Sequence, residues 1–267
     1  MRRDRTVGVR VSRLGSWLDA TPLAQVVLAV MRDATGRPDP VVALRPDKPA
    51  ALPVGRRIAC WSLVGGVGTS TTAALVAHRS AAAGRAPLLA DLDRWAPSLA
   101  LRARLEAATI ADVLVQPGRE AALVSRWSAV PFIPGSAGLA GQIDAERAFD
   151  ALERIASSAP IVIDLGTGID ALDPAITSRL DRLCVVTGPR VSQLQAAFCA
   201  RPHLRDVPCP AGLVMVGAQE SDASLIAERI GLELLAAIPT DPYLANDDFA
   251  TRAPTLRAVD TLIRALS

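Results

Sequence analysis

From Arg57 onward, apolar positions along this chain alternate between two rhythms: short unbroken apolar runs, and longer stretches with the 3.6-residue period of helices. The runs RIACWSLV (57–64), APLLADLD (86–93), AVPFIP (129–134), APIVIDLG (159–166), RLCVVTG (182–188), AGLVMVG (211–217) and ELLAAIP (233–239) predict strands. Most are apolar enough for burial on both faces, as a parallel sheet requires. Between them, STTAALVAHRSAAAG (70–84) predicts a helix with a glycine stop, and DAERAFDALERIASS (144–158) a clear amphipathic one. Helices are also predicted near 190–200, 222–231 and 253–266. SLALRARLEAA (98–108) and the stretch from Ile110 to about Trp127 read as largely helical, with a break near Pro117-Gly118. Strands joined by crossover helices predict one α/β domain over 56–267, a doubly wound, mostly parallel sheet with helices on both faces.

The rhythm is absent ahead of that domain. Residues 1–20 look loosely structured. Thr21-Pro22 offers a cap with proline at the first helical position, opening a helix to about Thr35. Pro38, Pro40, Pro46, Pro49 and Pro53 then make the segment from Gly36 to Gly55 a linker or a surface strap. The expected division is therefore an N-terminal extension at 1–55 and the α/β domain at 56–267.

Composition narrows the class. Half the residues are hydrophobic and 21% are charged, which excludes disordered and fibrous chains. No apolar run reaches the roughly 20 residues that span a bilayer. The basic start has no apolar h-region behind it, so the expected location is the cytoplasm. Residues 1–15 carry five arginines against one aspartate, which leaves the body slightly acidic and no evident nucleic-acid platform. Cys60 and Cys184 fall in predicted strands as small buried hydrophobes. Cys199, His203 and Cys209 match no common zinc spacing. Among 29 basic residues a single lysine, Lys48, is present.

Candidate chemistry begins after the first strand. Gly65, Gly66, Val67, Gly68, Thr69, Ser70 and Thr71 form a glycine-rich turn that opens a helix. Such a turn lets consecutive backbone N–H groups converge, and the helix N-terminus adds partial positive charge, so both attract phosphate. Glycine-rich turns between strand and helix also occur in α/β proteins without nucleotide, so three further segments matter. Asp91-Leu92-Asp93 ends the second strand, where a carboxylate can hold a magnesium shell or orient a water. Asp164 ends an apolar strand before Leu165-Gly166, the usual form of a second magnesium-facing carboxylate. Pro239, in Ile238-Pro239-Thr240-Asp241-Pro242, ends the last strand as a rigid turn suited to lining a base pocket.

In this order the motifs resemble the MinD/ParA family of P-loop ATPases, of the SIMIBI class, whose deviant Walker A loop reads Lys-Gly-Gly-x-Gly-Lys-Ser/Thr-Thr. Gly65, Gly66, Val67, Gly68, Ser70 and Thr71 match that loop. The signature lysine falls on Val64 and the phosphate-loop lysine on Thr69, so this resemblance describes a degenerate member. It implies ATP or ADP with magnesium as cofactor, held through Ser70, Asp91 and Asp164, with Asp93 as a vestigial water-positioning group. The family's adenine-reading asparagine corresponds to Gly217, a further departure. The pilus-assembly branch resembling TadZ and CpaE tolerates altered loops. Its receiver-like domain is longer than the leader here.

No obvious residue replaces the missing ammonium groups. Lys48 lies sixteen residues before Val64, in the proline-rich segment. Arg56 and Arg57 start the first strand, about 20 Å from its phosphate-binding end at 3.3 Å per residue. Arg94 is nearer in sequence, but a guanidinium is a planar fork, poorly matched to a tight loop. Hydrolysis is therefore expected to be negligible, with weak nucleotide binding or no cofactor at all. The leading expectation is a scaffold or regulatory partner that acts through a protein partner or an active paralogue, with homodimerisation open. Beside it stand an ATP-binding protein with slow or partner-activated hydrolysis, and an enzyme of other phosphate-ester chemistry. DNA is the weaker partner, since Asp241, Asp247, Asp248 and Asp260 dilute the basic Arg252, Arg257 and Arg264. Peripheral membrane contact rests on the amphipathic closing helix, which reads more simply as packing on the sheet, and on recruitment by a partner.

Overall fold

A computed structural model describes residues 48–136, 144–244 and 251–267. The described residues belong to one compact unit, 47–267. The predicted leader helix and the N-terminal arginines lie outside the described residues.

Eight strands form one sheet in the order β3-β4-β2-β5-β1-β6-β7-β8. They are β1 (Arg57–Ser62), β2 (Leu88–Asp91), β3 (Ser125–Trp127), β4 (Val130–Ile133), β5 (Ile161–Thr167), β6 (Arg182–Thr187), β7 (Ala211–Val216) and β8 (Glu233–Ile238). All neighbours are parallel except the β3–β4 hairpin. The two-residue side-chain period assigns alternate positions to opposite faces. Ala59, Trp61, Ile161, Ile163, Leu183 and Val185 join one buried cluster. Ile58, Cys60, Val162, Cys184 and Val186 join the other. This two-sided burial is why these strands read as unbroken apolar runs.

Helix α1 (Thr69–Ala82) and the last helix, α8 (Ala253–Ala265), cover the second face. Val259, Leu262, Ile263 and Leu266 of that closing stretch are buried there, so its apolar stripe is occupied by the sheet. The first face is covered by α4 (Ala145–Ala156), whose Ala148, Phe149 and Leu152 are buried and whose Asp144 caps the N-terminus by accepting from Arg147 N–H. The remaining helices are α2 (Leu99–Ala103), α3 (Ile110–Leu114), α5 (Pro174–Thr177), α6 (Val191–Leu204) and α7 (Glu220–Ile230).

Two expectations are corrected. The helix expected over 98–108 stops at Ala103, where Arg104 turns left-handed at φ 53° and Leu105 N–H returns to Ala100 O. The helix expected from Ile110 to about Trp127 ends at Leu114 and gives way to a 3-10 turn and to β3. Trp127 there stands edge-on to His78 with ring centroids 4.7 Å apart, a contact across 49 positions that no local pattern announces.

Residues 48–55 are tied to this unit. Leu52 is fully buried, its N–H donates to Ser80 Oγ, and Arg85 donates to its carbonyl. Ala50 N–H donates to Asp260 Oδ1, and Arg79 grips the same carboxylate with two bonds of 2.8 and 2.6 Å. Against its burial, these donors hold the Asp260 carboxyl below the usual range.

Candidate functional site

The glycine loop joins the end of β1 to α1. Gly66 and Gly68 take left-handed φ values of 75° and 96°, a region that favours residues without a Cβ. Gly68 is the N-cap of α1, and no side chain caps this helix. Thr72 N–H to Gly68 O, at 2.8 Å, is the first helical bond, so the N–H groups of Thr69, Ser70 and Thr71 precede the ladder. Gly65 and Gly66 are exposed, Val67 is buried, and Val64 packs against the apolar cluster behind the loop. Thr69 is 6% exposed and its Oγ1 has no hydrogen-bond partner among the described residues.

Three carboxylates converge at the neighbouring strand ends. Asp91 and Asp164 face each other in register across β2 and β5, both fully buried. Both Asp91 oxygens accept backbone donors: Oδ1 from Asp93 N–H at 3.1 Å and Oδ2 from Leu99 N–H at 3.1 Å. Burial and the Asp164 charge push the Asp91 carboxyl up to about 8 despite those donors. Asp164 Oδ1 accepts from Gly166 N–H at 3.0 Å, and its buried Oδ2 has no partner among the described residues. Burial pushes Asp164 up to about 6, opposed by the Ser70 hydroxyl and the Gly166 N–H, reinforced by the Asp93 charge and relieved by that of Arg102. Asp93 Oδ1 accepts from Trp95 and Ala96 N–H. Its carboxyl lies against Gly166, where a Cβ would come within 2.1 Å of Asp93 Cγ.

The cations weighed from sequence are placed elsewhere. Arg94 pairs with Asp173 at 2.9 Å, Arg57 with Glu153 at 2.7 Å, and Lys48 is exposed. Arg102 reaches the loop instead. Its Nη1 donates to Thr71 Oγ1 at 2.7 Å, and Ser98 Oγ lies 3.5 Å from Ser70 Oγ. No sequence signal distinguished Arg102 from its neighbours, because its reach depends on where Asp91 pins the start of α2. Pro239 ends β8, and the following Thr240 Oγ1 would lie 3.2 Å from a Cβ at Gly217, whose φ is 83°. Any side chain at 217 would press on that hydroxyl.

Of these residues, Ser70 and Asp164 are the ones that would hold a magnesium ion, since both Asp91 oxygens are taken by backbone N–H groups. Ser70 and Asp164 offer hard oxygen donors, and the orphaned Asp164 Oδ2 is a buried charge acceptor that such an ion would satisfy. The loop itself carries no ammonium at 64 or 69 to meet a phosphate. Among the described residues there is no cluster of histidine, cysteine or acidic groups with a metal-binding arrangement, and Cys199 is exposed while Cys209 is buried.

No family model matches the sequence, and no curated protein is similar to it. Solved structures are similar over most of their length. A ParA family ATPase from Chlorobium tepidum TLS matches at TM-score 0.61 and 21% identity, covering 79% of this chain and 97% of that one. The MinC:MinD cell division complex of Aquifex aeolicus matches at 0.65 and 19%, covering 78% and 94%. The septum site-determining protein MinD of Pyrococcus horikoshii OT3, complexed with Mg-ADP, matches at 0.64 and 19%, covering 78% and 94%. The chain has the MinD/ParA fold. In that fold the sheet order brings the glycine loop after β1, the Asp91–Asp93 segment after β2 and Asp164 of β5 to one edge of three adjacent strands, the carboxyl edge at which doubly wound sheets bind ligands.

Proposed function

We propose that this chain is a degenerate MinD/ParA-like protein with little or no ATP hydrolysis. It acts as a scaffold or regulatory partner in positioning, partitioning, or pilus or secretion assembly, the last in the manner of the TadZ/CpaE-like branch. The observation that carries the reading is a retained loop without its cations. Gly66 and Gly68 keep left-handed backbone and α1 starts uncapped, while positions 64 and 69 hold valine and threonine. Phosphoryl transfer depends on positioning and charge stabilisation, and losing one well-placed donor costs about 3–4 kcal/mol in the transition state. Two such losses take hydrolysis to the background. The relative of known assembly, Aquifex MinD, is found in complex with MinC, which supports a protein partner as the target. The partner, or an active paralogue, would also supply any recruitment from the cytoplasm to a membrane.

A second reading is favoured by one observation. The buried, unpartnered Asp164 Oδ2 suits magnesium, and the MinD of Pyrococcus horikoshii holds Mg-ADP, so this chain binds ATP or ADP with magnesium and hydrolyses it slowly or when a partner assists. Bound magnesium would neutralise phosphate charge beside Ser70 and Asp164, and Asp93 would sit over Gly166 to orient a water. Single-turnover chemistry separates the two. With the full chain in excess over labelled Mg–ATP, the first reading predicts intact ATP after hours. Product that depends on Asp93 would establish the second.

A further inference from the structure

The phosphate loop has lost both ammonium groups, yet a cation stands at its helix. Asp91 Oδ2 accepts from Leu99 N–H and so fixes the first turn of α2 beside the loop. Arg102, three residues on and therefore on the same helical face, donates from Nη1 to Thr71 Oγ1 at 2.7 Å. Thr71 lies in the first turn of α1, where the N–H groups precede the helical ladder. Ser98, at the start of α2, approaches Ser70 in the same way. Two further observations mark the place as made for a ligand. Among the described residues, Thr69 Oγ1 is buried without a partner at the position of the missing phosphate-loop lysine, and Asp164 Oδ2 is likewise buried without one.

We infer that Arg102, reaching in from α2, replaces the absent lysine as the cation that binds the phosphate groups of a nucleotide held by residues 65–71. The inference rests on the reading of this loop as a phosphate site and deepens it. An ammonium rising from within the loop must be compact, because the loop curls around it. A guanidinium arriving from a separate helix meets no such limit, and its fork matches two phosphate oxygens at once. The exchange also explains the chemistry that is lost and the chemistry that is kept. Arg102 binds from the side of Thr71 and holds a polyphosphate in the ground state. It comes from beside the loop and not from within it, so it does not stand where the in-loop ammonium would meet a transferring phosphoryl group. The link runs through Asp91: its carboxylate holds Leu99, Leu99 fixes α2, and α2 aims Arg102.

The test is calorimetry of the full chain with Mg–ADP, Mg–ATP and magnesium pyrophosphate at low salt. The parent is expected to bind all three, which assigns recognition to the phosphates. Arg102→Ala and Arg102→Gln should each weaken binding about 10- to 100-fold, the range for a lost charged hydrogen bond. Gln keeps a donor for Thr71, so its failure separates charge from packing. Arg102→Lys keeps the charge and loses the fork, so its affinity should fall between the parent and Arg102→Gln, and adding Thr69→Lys to Arg102→Ala should recover affinity, since that cation serves the same phosphates. Far-ultraviolet circular dichroism checks that each variant is folded. Equal affinity for parent and Arg102→Gln overturns the role of Arg102 while leaving the hydrolysis-deficient reading intact. Absence of binding by the parent also overturns it, in favour of a scaffold without nucleotide. Asp93-dependent turnover with Arg102-dependent binding would overturn the proposed function and support the inference.

Discussion

Asp164 is fully buried, carries an oxygen with no partner among the described residues, and has its carboxyl pushed up to about 6 from the ordinary 3.8, first by burial. A carboxyl raised in the fold contributes stability that is present in full below pH 3.8 and is lost as pH rises through about 6. At about 1.4 kcal/mol per tenfold, the loss above that pH approaches roughly 3 kcal/mol, and it is about half of that at pH 5. Asp164→Asn removes this dependence at small structural cost. Its side-chain oxygen can keep the bond from Gly166 N–H, and its amide takes the place of the unpartnered Oδ2. Burying that amide costs about 1 kcal/mol if it finds no acceptor. Without divalent ions the variant should therefore exceed the parent by about 2 kcal/mol at pH 8 and by well under half of that at pH 5. For a domain of this size the pH 8 difference is roughly 4–8 °C in Tm. Urea titrations of both proteins in chelator, at pH 5, 6, 7 and 8, read the gap directly. A gap that does not widen between pH 5 and pH 7, or a variant less stable than the parent at pH 8, would refute the picture of a strained, ion-seeking carboxylate.

Two further substitutions probe the frame of the site. Gly166→Ala places a Cβ within 2.1 Å of Asp93 Cγ in a left-handed backbone, whereas Gly118→Ala shares the positive φ but meets nothing within 4 Å. The first should cost at least ~2 kcal/mol more than the second in chemical denaturation, and equal costs would show that Asp93 does not press on residue 166. Asp260→Ala strips Arg79 and Ala50 N–H of their shared acceptor, and should destabilise the domain by about 3–5 kcal/mol while speeding hydrogen exchange over 48–55. A loss below about 1 kcal/mol would mean that this buried pair is dispensable.

The strands were legible because each face of the sheet is buried: Ile161, Val162 and Ile163 read as an unbroken apolar run since alternate residues serve opposite cores. The ends of α1 and α4 were legible for local reasons, a glycine beyond one and an Asp144 cap on the other. β3 was hidden because three residues are too few for a period, and Trp127 owes its place to His78 and Phe132, which are remote or across a hairpin. The loop and the three aspartates were found from glycine spacing and strand ends. What the carboxylates do was not legible, since Asp91 spends both oxygens on backbone N–H groups of Asp93 and Leu99. Arg102 was missed for the same reason: its contact with Thr71 spans 31 positions and exists only once α2 is pinned.

The central claim is that the phosphate cradle survives and that it lacks the cation within the loop, which Arg102 replaces only from the side. Calorimetry of Mg–ATP with the full chain and with its Thr69→Lys variant tests this most directly, because the lysine enters where Thr69 Oγ1 now lies buried without a partner. The account predicts that affinity rises about tenfold or more, with the unfolding midpoint in urea shifting by less than the equivalent of about 1 kcal/mol. No gain in affinity from a folded Thr69→Lys protein would contradict it, and would mean that the loop no longer presents its N–H groups to phosphate.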